Sequence, residues 1–204
     1  GIDLSKIIGS IGLGAMGGEY AKHLLENNFK VFGIDPDKKN SSSFTLYGGI
    51  LLSDIKDLLE KSNVIILSLP TVPIFHNVIN EIENCNSFTD PKIIIDMNTI
   101  SLEDKLDAKN KLEKLNIFFI DAPVSGTGAQ AKTKDLVVMS SGNEKIIDDS
   151  KDIFDSFARK NIFVGEFGNG IKFKILANLL VTVHNTVTAE ALLLGQKVGL
   201  DSQK

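Results

Sequence analysis

Lys174 and Asn178 stand four residues apart, a spacing that on a helix puts both side chains on one face. They are set among Phe173, Ile175, Leu176 and Leu179, so that face is expected to be partly buried. Burial lowers a lysine pKa toward the range in which the group exchanges protons near neutrality. Lys172 falls on a different face and is the natural contrast. Taken alone, Lys174 also reads as an ordinary surface lysine with an apolar stem and a solvated head.

Gly12-Leu13-Gly14-Ala15-Met16-Gly17 follows an apolar run that ends at Ile11. Two glycines let the backbone turn tightly and approach a pyrophosphate, and the third permits close helix–strand packing. The helix that follows presents free N–H groups to phosphate. Asp35 closes the second apolar run, about 20 residues further on, where a carboxylate accepts hydrogen bonds from the adenosine ribose. It also repels a 2′-phosphate, so NAD is expected over NADP; Lys38 and Lys39 follow, but no arginine does. The bland reading of the same residues is a structural turn and a loop carboxylate.

Three further segments sit at junctions after apolar runs. Leu69, Pro70 and Thr71 lie where ligands bind at the carboxyl edge of an open α/β sheet. Thr99, in Asp96–Ser101, either bonds a cofactor ribose or carboxamide or caps a helix. In Asp121–Gly128, Ser125, Gly126 and Thr127 form a loop whose N–H groups can grip a carboxylate. Ser125 lacks the Gly-x-Ser-x-Gly elbow of a nucleophile, and a plain polar loop is the competing reading.

These residues need a scaffold, and the patterning supplies one. Apolar β-rich runs at Lys6–Ile11, Lys30–Ile34, Val64–Leu69, Ile93–Asp96, Ile117–Ile120, Leu136–Ser140 and Ile162–Val164 alternate with amphipathic segments. That alternation predicts an α/β fold, a Rossmann-type doubly wound parallel sheet with helices on both faces. Helices are expected over Ala15–Asn27, from Ser53, from Ser101 (with Asp104 completing a capping box) and over Glu144–Phe157 after Asn143. After Val164 the pattern changes. Gly165, Gly168 and Gly170 punctuate a loop, and one apolar pattern then runs from Ile171 to Val198, about 40 Å as a helix. Residues 1–166 are thus expected to form the dinucleotide-binding domain, and 167–204 the long helix that opens an all-α domain.

Composition narrows the classes. Of 204 residues, 43% are apolar and 24% charged, as in ordinary globular proteins. A net charge of −4 gives no reason to expect nucleic acid or an anionic membrane as partner. Lys172, Lys174, Asn178, His184 and Glu190 interrupt the longest apolar stretch, which is read as a buried helix rather than a membrane span. Its apolar residues run nearly all round, so burial against a second subunit, a homo-oligomer, is expected. The lone Cys85 and the absence of a signal-like start point to a cytoplasmic or organelle-matrix setting. His23, His76 and His184 have no ligand-like spacing to one another or to Cys85, so no metal is expected. A start at Gly1 and an end soon after the long helix point to a processed chain or a piece of a larger one.

In this order, the segments resemble the β-hydroxyacid dehydrogenase family, whose members include 3-hydroxyisobutyrate dehydrogenase and tartronate semialdehyde reductase. The resemblance rests on Gly12–Gly17, Asp121–Gly126 and the Gly-x-Gly-x-x-x-Lys-x-x-x-Asn pattern of Gly168–Asn178. It implies that Lys174 is the catalytic lysine, that Asn178 assists it, and that Ser125 and Gly126 hold the substrate carboxylate. The implied reaction is NAD-dependent oxidation of a small hydroxy acid. Thr127 and Lys134 depart from the family, which usually has glycine at both places, and Thr127 is expected to narrow the substrate pocket. Family members also continue through a helical domain with a further substrate-contacting lysine. Val138–Gly142 and Asn178–His184 resemble the branch acting on four-carbon sugar acids such as threonate, unless His184 is simply a histidine buried between helices. Two other readings compete: a semialdehyde or glyoxylate-type reductase, and a non-catalytic dinucleotide-binding module.

Overall fold

A computed structural model describes residues 7–199. Lys6, the expected start of the first strand, and the last five residues lie outside that range. Six strands form a parallel sheet: β1 (Ile7–Ile11), β2 (Lys30–Ile34), β3 (Ile50–Leu51), β4 (Val64–Leu67), β5 (Lys92–Asp96) and β6 (Ile117–Asp121). Their order is β3-β2-β1-β4-β5-β6, so the winding reverses between β1 and β4.

The strands read as unbroken apolar runs because both faces are covered. Alternation still sorts their side chains. Ile8, Val64, Ile66, Ile93, Ile95 and Ile120 face one core, which includes Tyr20 and Leu24 of α1 (Gly17–Glu26). Ile11, Ile65, Leu67, Ile94, Ile117 and Phe119 face the other. That second core is closed by α3 (Ile55–Lys61), α4 (Val72–Glu83) and α5 (Leu102–Glu113).

Four differences from the sequence expectation have physical reasons. First, α2 (Lys38–Leu46) forms from a serine-rich stretch with only Phe44 buried, so no apolar periodicity announced it. Second, α4, absent from the helices expected above, begins within the Leu69–Pro73 junction: Thr71 is its N-cap, and Pro73 sits in its first turn, where proline is tolerated. Third, Asp54 rather than Ser53 caps α3, accepting the Asp57 N–H at 2.9 Å. Fourth, the helix expected over Glu144–Phe157 is two helices, α7 (Glu144–Asp149) and α8 (Lys151–Phe157). The break falls at Ser150, whose hydroxyl donates back to the Ile146 carbonyl at 2.7 Å.

The last expected strands do not join the parallel sheet. Ala122 and Pro123 separate β6 from the next strand, and β7 (Val124–Ser125), β8 (Val137–Ser140) and β9 (Lys160–Phe163) make a separate three-stranded sheet. A bridge between Asp121 and Ser141 links the two sheets. Between β7 and β8 lies α6 (Gly128–Lys132), which ends in a turn with Lys134 at φ +59°. A left-handed conformation costs an L side chain about 1–2 kcal/mol, which is why glycine suits that position.

The chain finishes in α9 (Asn169–Lys197), 29 residues long. Its N-cap, Gly168, has φ +90°, and any Cβ there would strike Leu102. Only Gly170 and Ile171 of this helix are buried. Leu176, Leu179, Val183, Val187, Leu192 and Leu193 are exposed by 52–59%. Among the described residues no other element covers α9 beyond its first turn, so within the chain itself the expected burial of this helix is not met. Its mean hydropathy of 1.2 also makes it apolar enough, by length and composition alone, to cross a membrane. The polar interruptions do not settle that question, but the anchoring of its first turn between β6 and β8, described next, gives the helix a place in the globular fold.

Candidate active site

The glycine loop takes the form its residue types predict. Gly12 leaves β1 at φ +92°, and a Cβ on it would fall on the Ser68 carbonyl. A Cβ on Gly17 would meet the Gly12 carbonyl, so these two glycines serve the close approach of β1, α1 and the β4 end. Gly14 differs: nothing lies within 4 Å of where its Cβ would be. Its missing side chain leaves open space above the uncapped N-terminus of α1, the cradle a pyrophosphate requires. Met16, expected inside the helix, is its N-cap. Leu13 is buried, whereas Ala15 is exposed at the rim.

Asp35 sits at the carboxyl end of β2 and turns toward that loop. Its carboxylate accepts the Leu13 N–H at 2.7 Å, the Asp37 N–H at 2.8 Å and the Asn40 amide at 3.2 Å. A cleft of about 560 Å³ is lined by Gly12, Gly14, Met16, Gly17, Asp35, Asn40 and Ser68–Pro70, among others. It lies where the winding reverses, the usual ligand crevice of such sheets. Polar donors on one wall and Ile74 and Val78 on another fit a dinucleotide. A second hollow of about 450 Å³ beside β6 includes Gly142 and Asn143, the N-cap of α7, but that cap is already filled by the Asn143 side chain, and the hollow lies at the outer edge of the sheet, away from the winding reversal.

The structure does not bring every expected residue to the cleft. Leu69 and Pro70 line it, but Thr71 and Thr99 do not. The Thr71 hydroxyl accepts from the Ile74 N–H at 3.4 Å. Thr99 is exposed, and the cap of α5 is Ser101, so the capping alternative for Thr99 falls. Ser125 is exposed at the end of β7, beside Gly126 at φ +143°. The Thr127 hydroxyl is engaged in the capping box of α6 with Gln130.

Lys174 is half-buried on α9, and burial lowers its pKa below the ordinary lysine value. Lys172 and Asn178 are exposed. The apolar neighbours expected to bury this face, Phe173, Ile175, Leu176 and Leu179, are 53–59% exposed. His184 is exposed as well, with no second helix packed over it among the described residues.

What sequence reading missed is the anchor of α9. Lys105, in the first turn of α5, is fully buried, and its Nζ meets Asp96 Oδ2 and Asp121 Oδ1 at 2.8 Å each. Desolvation pushes the Asp96 pKa up. Burial alone would lower Lys105, but the two carboxylates outweigh it and hold the ammonium charged. The other carboxylate oxygens are also satisfied. Asp96 Oδ1 accepts the Asn98 N–H and side-chain amide at 3.2 and 2.6 Å, and Asn98 Oδ1 accepts the Leu69 N–H at 2.6 Å. Asp121 Oδ2 accepts the Ile171 N–H at 2.9 Å and the Ser141 hydroxyl at 3.0 Å. Ser141 Oγ in turn accepts the Gly168 and Gly170 N–H groups at 3.1 and 3.0 Å. A signal was present: β5 and β6 are apolar strands that both end in aspartate, paired in register as Asp96 and Asp121. Adjacent buried carboxylates require a cation.

Comparison with known proteins agrees with this geometry. Residues 7–165 match the family described as the NAD binding domain of 6-phosphogluconate dehydrogenase. The 2-(hydroxymethyl)glutarate dehydrogenase of Eubacterium barkeri is 30% identical over 197 residues, 95% of this chain and 64% of that protein. The mitochondrial 3-hydroxyisobutyrate dehydrogenase of Homo sapiens is 30% identical over 198 residues, 95% of this chain and 58% of that protein. The solved structure of Mycobacterium tuberculosis 3-hydroxyisobutyrate dehydrogenase with L-serine superposes with a TM-score of 0.91 at 26% identity. It covers 98% of this chain and 68% of its own. The chain thus spans less than two thirds of the length of the first two relatives.

Proposed function

Because this chain belongs to the β-hydroxyacid dehydrogenase family, we propose that the whole protein is an NAD-dependent oxidoreductase acting on a small hydroxy acid. The observation that carries the reading is Lys174, half-buried and depressed in pKa, one turn from Asn178 on a helix anchored at the carboxyl edge of the sheet. Residues 1–166 are the dinucleotide-binding unit, and 167–204 begin a second, helical unit.

A nicotinamide dinucleotide bound along Gly12–Gly17 and Asp35 supplies the hydride acceptor. Lys174 takes the substrate hydroxyl proton during oxidation and returns it in reduction, and Asn178 orients the same group. Ser125 and Gly126 grip the substrate carboxylate through their part of the loop and the Ser125 hydroxyl, while Thr127, whose N–H and hydroxyl are both engaged by Gln130, borders the pocket. The substrates this arrangement suits are three- to four-carbon acids of 3-hydroxyisobutyrate or threonate type. The full-length protein should oxidise at least one of them with NAD, or reduce the matching semialdehyde with NADH. NAD binding without turnover of any would leave the non-catalytic module as the better reading.

Asp35 sets the cofactor preference. Its carboxylate is already held by Leu13, Asp37 and Asn40, so it cannot swing away from a 2′-phosphate without losing three hydrogen bonds. NAD should bind at least about tenfold more tightly than NADP, a gap of roughly 1.4 kcal/mol. Asp35→Ala should narrow it. Equal calorimetric affinities in the native protein would sink the assignment.

The bare length of α9 leads to a homo-oligomer. A helix with apolar side chains on every side cannot bury them against one neighbour. We place them against the remaining helical unit and a second copy of the chain. Sedimentation of the full-length protein should give a dimer or larger, and a stable monomer at micromolar concentration would rule this out.

A further inference from the structure

The proposed reaction needs two parts held at a fixed offset, the dinucleotide cleft and the helix carrying Lys174. These parts come from distant stretches of sequence, and one buried polar chain connects them. It starts at the Leu69 N–H in the cleft wall, passes through Asn98 to Asp96, and crosses Lys105 to Asp121. From Asp121 it reaches the Ile171 N–H directly and the Gly168 and Gly170 N–H groups through Ser141. Ile171 is three residues before Lys174. Gly170 is part of the device: a Cβ there would crowd the Met139 carbonyl and Asp121 Oδ2.

We propose that Lys105 is a positioning residue for the dehydrogenase reaction: its ammonium joins Asp96 to Asp121 and so locks the first turn of α9, with Lys174, to the Leu69 wall of the cleft. The inference rests on the functional reading above. Lys105 itself touches neither the cleft nor Lys174, so it acts only through the two carboxylates. Without the ammonium, Asp96 and Asp121 face each other in a water-free site and cannot both stay ionised. At low pH one would hold a proton and the geometry would survive. As pH rises and both ionise, they would repel, and Asp121 would be drawn off the Ile171 N–H.

The test compares Lys105→Met with the native full-length protein by three readouts. These are turnover across pH, NAD affinity, and hydrogen exchange at the amides of Ile171, Lys172 and Phe173. Lys105→Met should lower kcat at least tenfold, increasingly so as pH rises, while NAD affinity changes less than threefold. Exchange at those amides should quicken at least tenfold. Lys105→Met/Asp96→Asn, which removes one charge of each sign, should restore kcat to within about threefold and remove the added pH dependence. Native turnover and native exchange in Lys105→Met would overturn the proposal. So would a loss of kcat matched by a loss of NAD affinity and not rescued in the double variant, since that marks general destabilisation. Should Lys105→Met fail to fold, Ser141→Ala cuts the uncharged branch alone. It must quicken exchange at Gly170 and Ile171 and lower kcat, and if it does neither the proposal falls. The exchange readout does not depend on turnover. If Lys174→Ala leaves turnover intact, the functional reading fails, while exchange still decides whether Lys105 holds α9.

Discussion

Lys174→Ala is expected to lower the kcat of the full-length protein by roughly a hundredfold to ten-thousandfold, the contribution of one positioned general acid–base group. The native lysine is half-buried, and desolvation lowers its pKa; among the described residues no carboxylate beside it restores the charge. It is therefore suited to give up its proton nearer neutrality than a surface lysine is. NAD affinity should hardly change, because the cleft residues Gly12–Gly17 and Asp35 are far from α9 in sequence and do not include Lys174 in their lining. Lys172→Ala is the control, two residues away and exposed on another face. Steady-state kinetics on three- to four-carbon hydroxy acids, with NAD titrations alongside, separate the cases. If both substitutions slow turnover equally, Lys174 has no special role and the proton-transfer scheme is wrong.

Gly14→Val should leave the fold standing yet weaken NAD binding by a hundredfold or more, about 2.7 kcal/mol. Nothing lies within 4 Å of a Cβ at Gly14, and its φ needs no glycine, so the protein without cofactor has room for the side chain. The space it would fill is the one proposed above for the cofactor's pyrophosphate. Gly12→Ala should behave in the opposite way. At φ +92°, with a Cβ driven onto the Ser68 carbonyl, it should destabilise the fold itself by about 2–4 kcal/mol. Thermal melts together with calorimetric NAD titrations distinguish the two outcomes. An unchanged NAD affinity in Gly14→Val would mean that the pyrophosphate does not run over this loop.

These two glycines also show how far residue types carry. Glycine spacing after an apolar run identified the turn, and Asp35 at the end of the next run was placed beside it, where its carboxylate accepts the Leu13 N–H, because both follow from local backbone geometry and chain order. The buried runs of β1, β4, β5 and β6 were equally plain, since strands covered on both faces keep few polar residues. The Lys174–Asn178 pairing was legible from helical spacing alone.

Other features depended on what packs against what. The serine-rich α2 is a helix whose single buried anchor, Phe44, gives no periodicity to read, whereas α4 carried a legible signal in Thr71, Pro73 and the i, i+4, i+7 spacing of Phe75, Ile79 and Ile82. The separate sheet of β7, β8 and β9 forms because Asp121 and Ser141 bridge there and turn the chain away from the β6 edge. The apolar surface of α9, read from sequence as buried, stands open because burial is a property of neighbours and not of composition. Lys105 is the sharpest case. In sequence it is one of many lysines on an amphipathic helix. Only the register that sets Asp96 beside Asp121 makes it the single cation between two buried carboxylates, at the junction from which α9 departs.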